Sequence, residues 1–172
     1  MSRLVLPRYK VIRDTREKYN KGWFFDKHTY TKRKPPNCDG MVVQTLETGD
    51  YSLVGYEDIL SIERKKDFAE LWGNYQHKER FTNEMERMSS FKHKIVFIES
   101  SLTTDILDLS PPQFTTGVPG KALIRWLMSL TVKYGVPFIP IGSCGQKVAQ
   151  QFMEEVIRFE KDRWVEKDDR NT

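Results

Sequence analysis

The sequence predicts a mixed α/β layer domain in which helices flank a central sheet. Short β-type apolar runs give way to segments of helical period, in the order strand, three strands, helices, strand, helix, strand, helix. The length of 172 residues suits one domain with a single sizeable core. A composition of 38% hydrophobic and 30% charged residues is that of an ordinary soluble globular protein. We therefore expect one domain over 1–172, with its core at about 10–160.

Four apolar runs in the first 65 residues predict strands at 9–12, 41–46, 51–54 and 60–62. Gly49-Asp50 and Gly55 separate the last three runs, which predicts a small antiparallel meander. Residues 18–40 are rich in Lys and Asn and contain Pro35-Pro36, so they predict a long loop. A loop of that length in a compact domain is usually functional or disordered.

Helical spacing begins at Lys66. One set of apolar residues recurs with this period at Phe68, Leu71, Trp72 and Tyr75, and a second at Phe81, Met85, Met88 and Phe91. The continuous apolar run at 95–98 is typical of a buried central strand.

The last third of the chain predicts two helices around a second buried strand at 136–141. The first helix begins at Pro119 and ends before Gly135, because proline favours the first helical turn and glycine follows the last. Ser143 and Gln146 predict a capping box for the second helix. Its predicted apolar stripe is Val148, Phe152, Val156 and Phe159. Residues 165–172 predict a frayed tail.

Charge and composition indicate which kinds of partner, location and metal site this chain could have. The net charge of +4 permits an anionic partner without demanding one. No apolar run reaches the ~18 residues of a membrane helix, and the N-terminus has no signal-peptide core, so we expect an intracellular, non-membrane protein. Cys38 and Cys144 are isolated, which argues against a zinc site or a disulfide framework. His28, His77 and His93 have no metal-ligand spacing.

The predicted loop carries a basic cluster at 27–34. Its residues Lys32, Arg33 and Lys34 are candidates for contacts with a phosphate backbone, because clustered cations gain affinity by releasing counterions. The alternative is a solvated loop, which the charge run alone slightly favours.

A candidate metal site follows the strand at 60–62. Residues i and i+2 of a strand share a face, so Glu63 and Lys65 are expected to project together, with Arg64 on the other face. If the Asp50 segment pairs with this strand, the Asp50 and Glu63 carboxylates converge. Two carboxylates and a backbone carbonyl suit Mg²⁺ or Mn²⁺. Asp14 adds a third acid at a strand end.

Several blocks of the chain resemble one known family. DTRE (14–17), LETGDYSL (46–53) and IERKKDF (62–68) resemble the blocks of the XPF-type structure-specific DNA endonucleases. The segments at 70–88 and 94–100, and RWLMSLTVKYGVPFIPIG further on, continue a similarity to the compact, stand-alone versions of these enzymes. The similarity covers about residues 10–160. Its specific element is GD followed by ERK.

The resemblance implies a restriction-endonuclease-like PD-(D/E)xK fold and metal-dependent hydrolysis of branched or flapped DNA. It implies that Asp50 and Glu63 are the principal metal ligands, that Lys65 is the catalytic lysine and that Asp14 is a further metal-site acid. The positions that it implies for support of the site or contact with DNA are Arg16, Glu17, Arg64 and Arg80. The expected cofactor is Mg²⁺ or Mn²⁺, and the expected partner is DNA.

The chain departs from the family pattern after Lys65. The family places an acid four residues beyond this lysine, where this chain has Ala69. Asp67 and Glu70 are the nearest acids, and the sequence does not choose between them.

Several features of the sequence have two possible roles. Arg80 pairs with Glu84 at i, i+4 if it does not contact DNA. Residues 23–25 (Trp-Phe-Phe) form core, which we favour, or a platform that stacks on a base. The apolar stripes of the C-terminal half pack within the chain or bury in a homodimer, as in relatives. The competing functions for the whole chain are an inactive DNA-binding partner subunit and a Holliday-junction-type resolvase of the same fold.

Overall fold

The computed structural model describes residues 6–18, 21–25, 37–101 and 120–163. In these ranges the strands are β1 Tyr9–Arg13, β2 Cys38–Val43, β3 Tyr51–Leu53, β4 Leu60–Lys65, β5 His93–Ile98 and β6 Phe138–Pro140. The helices are α1 Phe68–Gln76, α2 Lys78–Ser89, α3 Gly120–Tyr134 and α4 Gly145–Phe159, with a 3-10 turn at Gly142–Cys144. None of these helices is long and apolar enough to cross a membrane.

The six strands form one mixed sheet in the order β2-β1-β3-β4-β5-β6. β3 is antiparallel to β1 and to β4, whereas β2 runs parallel to β1, and β4, β5 and β6 run parallel to one another. The predicted meander is therefore wrong in its first step, although the antiparallel β3–β4 pair is confirmed. β1 lies between β2 and β3, and its residues Val11 and Ile12 are fully buried, as expected for a strand that is covered on both faces.

The start of β2 and the length and burial of β6 also differ from the prediction. β2 begins at Cys38, so the end of the predicted loop is a strand. The strand predicted as buried at 136–141 shortens to β6, the last strand of the sheet, where Ile139 is 41% exposed. An edge strand has a neighbour on one side only, which explains the exposure.

The sheet separates two apolar cores. One lies between the sheet and α4 and includes Trp23 and Phe25, which confirms the core assignment of these aromatic residues. The other lies between the opposite face of the sheet and the three helices α1, α2 and α3. Alternate residues of β4 and β5 enter opposite cores: Ile62 and Phe97 face the first core, and Val96 faces the second. The side chains of one strand thus contribute to the cores on both faces of the sheet.

The first three helices follow the predicted period, with the start predicted at Pro119 lying outside the described residues. α4 differs in two ways. Ser143 and Gln146 form no capping box, since Ser143 lies in the 3-10 turn and Gln146 hydrogen-bonds the backbone of Phe24 instead. Phe159 is 79% exposed, because the buried face of α4 is shifted. That face consists of Gly145, Ala149, Gln150, Met153, Val156 and Ile157.

Candidate active site

The turn before β3 attaches Asp50 to β4. The Asp50 N–H donates to Ile62 O at 2.8 Å, and its carboxylate oxygen Oδ2 accepts from the Arg64 N–H at 2.8 Å. Gly49 makes this turn with a φ of +82°, where a side chain would be strained. A Cβ at Gly49 would also lie 2.5 Å from Ser61 Oγ. The predicted pairing of the Asp50 segment with the following strand is confirmed.

Glu63 and Lys65 project from the same face of β4, as predicted from the period of a strand. The Lys65 ammonium donates to Glu63 Oε1 at 2.6 Å, and it lies 3.6 Å from Glu70 Oε1. It also lies 5.2 Å from the centre of the Phe81 ring. Both side chains of the pair are nearly buried, with 8% of Lys65 and 6% of Glu63 exposed.

Asp50, Glu63 and Lys65 open into one cavity of about 270 Å³. β4 and the turn before β3 form one wall, and α2 forms the facing wall through Arg80, Glu84 and Arg87. The other lining residues are Arg16, Glu17, Thr48, Gly49, Arg64, Glu70, Asn74 and Phe81. The predicted catalytic set is thus gathered at one concave surface rather than along a solvated strand end.

The carboxyl groups of Asp50 and Glu63 are buried in the cavity, which makes their ionisation unfavourable. Burial, followed by the charge of Glu63, raises the pKa of Asp50 well above its usual value. Burial raises the pKa of Glu63 to about 8, opposed by Lys65 and supported by the nearby Glu84 carboxylate. The pKa of Lys65 is raised because the attraction of Glu63 and Glu84 outweighs burial. Lys65 therefore remains protonated at neutral pH, between acids that repel one another.

Arg64 holds the opposite face of β4 in place. Its guanidinium donates to Glu17 Oε1 at 3.2 Å and to Glu99 Oε2, and it lies 5.8 Å from the centre of the Trp23 ring. The indole N–H of Trp23 donates to the other oxygen of Glu99 at 2.6 Å. Only 12% of the Arg64 side chain is exposed. Arg64 is thus held between two carboxylates, where it supports the strand that carries Glu63 and Lys65.

Gly145 packs closely against Glu99 and Trp23, which hold Arg64 in place. A Cβ at Gly145 would overlap Glu99 Oε1 and lie 2.8 Å from Trp23 Nε1. Because Gly145 is the first residue of α4, the helix approaches the Glu99 carboxylate more closely than any other residue would permit.

Asp14 differs from the expectation for a metal-site acid. It is 1% exposed and lies outside the lining of the cavity. Its carboxylate accepts from Leu46 N at 2.7 Å, from Arg16 N at 2.8 Å and from Arg16 Nε at 2.6 Å. These hydrogen bonds overcome the effect of burial and lower the pKa of Asp14. Asp14 therefore orients Arg16, which does line the cavity.

The comparisons with known proteins agree with this geometry. The model of the ERCC4 domain family matches residues 13–146, a range that includes every acid and cation discussed above. This chain belongs to the ERCC4 domain family. The comparison with curated proteins gave no match.

Two solved structures share the fold of this ERCC4 domain. XPF from Aeropyrum pernix matches with a TM-score of 0.55 and 15% identity, over 84% of this chain and 59% of that one. The same protein in complex with DNA matches with a TM-score of 0.59 and 14% identity, over 88% of this chain and 66% of that one. This chain therefore spans about three fifths to two thirds of the length of these structures. The predicted XPF-type resemblance and restriction-endonuclease-like fold are confirmed.

The structure separates the two candidates for the acid after Lys65. Asp67 caps α1, since its carboxylate accepts from Glu70 N at 2.9 Å. Glu70 lines the cavity of the ERCC4 domain and accepts from Lys66 N at 2.9 Å. Glu70 is thus the acid that lies beside the catalytic set.

The predicted basic residues divide into two groups. Arg80 lines the cavity and forms no ion pair with Glu84 within the described part of the chain. The alternative pairing of these two residues is therefore not what the structure has. Lys32, Arg33 and Lys34 lie outside the described residues.

Sequence reasoning missed four polar residues of the cavity wall and one residue behind it. Thr48, Asn74, Glu84 and Arg87 line the cavity of the ERCC4 domain, and Glu99 holds Arg64. A signal for Glu84 was available, because it follows the buried Phe81 by three positions and so lies beside the apolar face of α2. Glu99 gave no local signal, since only the pairing of β4 with β5 brings it near Arg64.

Asp50 and Glu63 are the donors that fit a divalent cation. Within the described ranges, no group of three or more His, Cys, Asp or Glu side chains is arranged to hold a metal ion. Mg²⁺ and Mn²⁺ nevertheless need only one or two carboxylates, because such ions keep several water ligands. Burial is the main cause of the raised pKa values of both carboxyl groups, and a dication held beside them would favour their charged forms.

Proposed function

We propose that this chain is a divalent-metal-dependent endonuclease that cuts DNA near branch points, 3′ flaps or forks. The observation that carries the proposal is the meeting of Asp50, Glu63 and Lys65 in one cavity, with two mutually repelling carboxylates beside a protonated lysine. The ERCC4 family match supports the nuclease class, and the DNA complex of the XPF structure supports DNA as the partner.

Each residue has a role that follows from its surroundings. Asp50 and Glu63 would hold Mg²⁺ or Mn²⁺, which polarises the phosphodiester and lowers the pKa of the attacking water when bound. The Arg64 N–H fixes one oxygen of Asp50, so the other oxygen faces the cavity. Arg64, through Glu17 and Glu99, keeps the strand that carries Glu63 and Lys65 in register.

Lys65 serves as a positive charge beside the reacting phosphate rather than as a proton acceptor. A lysine whose pKa is raised stays protonated, so its ammonium offsets the charge that builds up on the pentavalent transition state. It also donates a hydrogen bond toward the phosphate oxygen or the incoming water. The products of this reaction are a 5′-phosphate and a 3′-hydroxyl.

A cleavage panel tests the proposed function. The protein is incubated with labelled single strands, duplex, 3′ flap, 5′ flap, fork and four-way junction, each with Mg²⁺, Mn²⁺ or EDTA. We expect metal-dependent cutting of the flap and fork substrates and none in EDTA. Preferential cutting of the four-way junction would identify a resolvase. Binding of these DNAs without cutting in either metal would contradict the endonuclease and favour an inactive DNA-binding subunit.

We also propose that two copies of the chain pair through the C-terminal half. Met128 and Val132 lie one turn apart on α3 and are 48% and 87% exposed. Large apolar side chains with that much exposure are typical of a surface that a partner covers.

Charge on α3 should separate the two copies. Val132→Glu is expected to shift the protein from dimer to monomer, because a buried interface does not accommodate an unpaired carboxylate. Sedimentation velocity measures the change. Val54→Glu, at an exposed apolar residue after β3, is the matched control and should leave the mass unchanged. A wild-type protein that sediments as a monomer at all concentrations would refute the pairing.

A further inference from the structure

Two arginines on α2 have no carboxylate partner in the described part of the chain, although acidic side chains line the cavity beside them. Arg80 and Arg87 are exposed and line the cavity, and neither forms an ion pair with any residue that the structure describes. Five other described arginines each hold a carboxylate, namely Arg8, Arg16, Arg64, Arg158 and Arg163. The two cavity arginines therefore keep all of their guanidinium donors for another anion.

Glu84, the acid of α2 at helical pairing distance from both arginines, forms an ion pair with neither. Glu84 follows Arg80 by four positions and precedes Arg87 by three, the two spacings at which helical residues ordinarily pair. Glu84 instead interacts with Glu63 and Lys65 inside the cavity. The charge of Lys65 thus draws Glu84 inward and leaves an arginine on each side of it.

The spacing of the arginines suits a nucleic-acid strand. Seven residues of an α-helix place Arg80 and Arg87 on one face, about 10 Å apart along the axis. One strand of a duplex presents a phosphate about every 3.4 Å of axis. The separation thus corresponds to about three phosphate steps along the axis, so phosphates that lie between the two contacts can face the cavity. Guanidinium groups bind phosphates through two parallel hydrogen bonds.

We propose that Arg80 and Arg87 bind two backbone phosphates of the strand being cut, one on each side of the phosphate that faces Asp50 and Glu63. This inference rests on the proposed function and adds the path of the strand, which runs along α2. The two contacts are independent of base sequence. They hold the strand so that only one phosphodiester reaches the catalytic carboxylates.

Binding measured without cleavage tests the inference. All variants carry Asp50→Asn, and a fluorescein-labelled forked DNA is titrated in EDTA at several salt concentrations, with fluorescence anisotropy as the readout. Arg80→Ala and Arg87→Ala should each weaken binding on the order of tenfold at low salt, since a bond to a charged group is lost. Each should also reduce the slope of log K against log salt by about 0.7–0.9, the contribution of one phosphate contact.

Matched variants distinguish specific phosphate contacts of Arg80 and Arg87 from general electrostatic attraction of the DNA. Arg125→Ala removes an exposed arginine of α3 that lies outside the cavity, and it should leave affinity and slope unchanged. Arg80→Lys should keep the slope and lose part of the affinity, because lysine keeps the charge without the paired donors. An unchanged slope in the Arg80→Ala, Arg87→Ala double variant, or an equal loss in Arg125→Ala, would overturn the inference. Failure of the wild-type protein to cleave any substrate in the panel would instead count against the proposed function.

Discussion

Replacing Asp50 with asparagine is expected to reduce cleavage on the order of 10³-fold or more, because one of the two carboxylates that fit a divalent cation is lost. The substitution is nearly isosteric, and the remaining amide oxygen still accepts from the Arg64 N–H, so the turn before β3 is kept. Single-turnover cleavage of the preferred branched DNA in Mg²⁺ measures the loss. Asp58→Asn is the matched control, because Asp58 is paired with Arg163 on the surface away from the cavity. Cleavage that survives Asp50→Asn would place the reaction elsewhere.

The same variant should be more stable than the wild type in the absence of metal. The carboxyl groups of Asp50 and Glu63 have pKa values in the folded protein above their unfolded values of 3.8 and 4.5. The folded state therefore binds protons more strongly at these two groups. Their contribution to stability is full at low pH and, for Glu63, is lost as pH rises from about 4.5 to about 8. Urea unfolding at several pH values in EDTA should show this fall in the wild type. The fall should be smaller in Asp50→Asn, which cannot ionise, and added Mn²⁺ should reverse it in the wild type alone.

Arg64→Ala is expected to destabilise the fold by about 3 kcal/mol, because it leaves two largely enclosed carboxylates without their shared cation. The side chains involved are little exposed, at 12% for Arg64, 15% for Glu17 and 19% for Glu99. The loss should also lower cleavage, since β4 carries Glu63 and Lys65 on its other face. Urea unfolding measures the change in the free energy of unfolding.

Two further variants locate the origin of that loss. Arg158→Ala breaks an exposed ion pair with Glu155 on α4 and should cost less than about 0.5 kcal/mol. Arg64→Lys keeps one charge but not the fork that reaches both Glu17 and Glu99, so its cost should fall between the two. If Arg64→Ala costs no more than Arg158→Ala, the enclosed arginine is not a support of the site.

Local pattern explains how much of the fold could be predicted from the sequence. The strands and the first three helices follow hydrophobic period within a few residues, because alternating burial is set by neighbours along the chain. The place of β1 between β2 and β3 was missed, because it depends on which strands pair and not on their sequences alone. The shifted face of α4 has a similar origin, since contacts with the distant segment at 21–25 decide which side of the helix is buried.

In the candidate site, too, local features could be predicted and contacts between distant segments could not. The shared face of Glu63 and Lys65 could be predicted from the period of a strand, whereas the roles of Asp50, Glu63 and Lys65 were implied by the resemblance of GD and ERK to the XPF-type family. The partners of Arg64 could not, since Glu17 is 47 positions away in sequence and Glu99 is 35 positions away. The role of Glu84 was hidden for another reason. As one acid among several charged residues on α2, it is distinguished only by the buried lysine that it faces.

The order Glu63-Arg64-Lys65 has a consequence for how such a chain can change over time. Successive residues of β4 point into different layers, with the reactive groups in one and the supporting arginine in the other. Insertion or deletion of a single residue within β4 would turn the Glu63 carboxylate or the Lys65 ammonium to the other face of the sheet, away from Asp50. Lineages of this domain are therefore expected to accept length changes in the connections around β4 and to reject them within it.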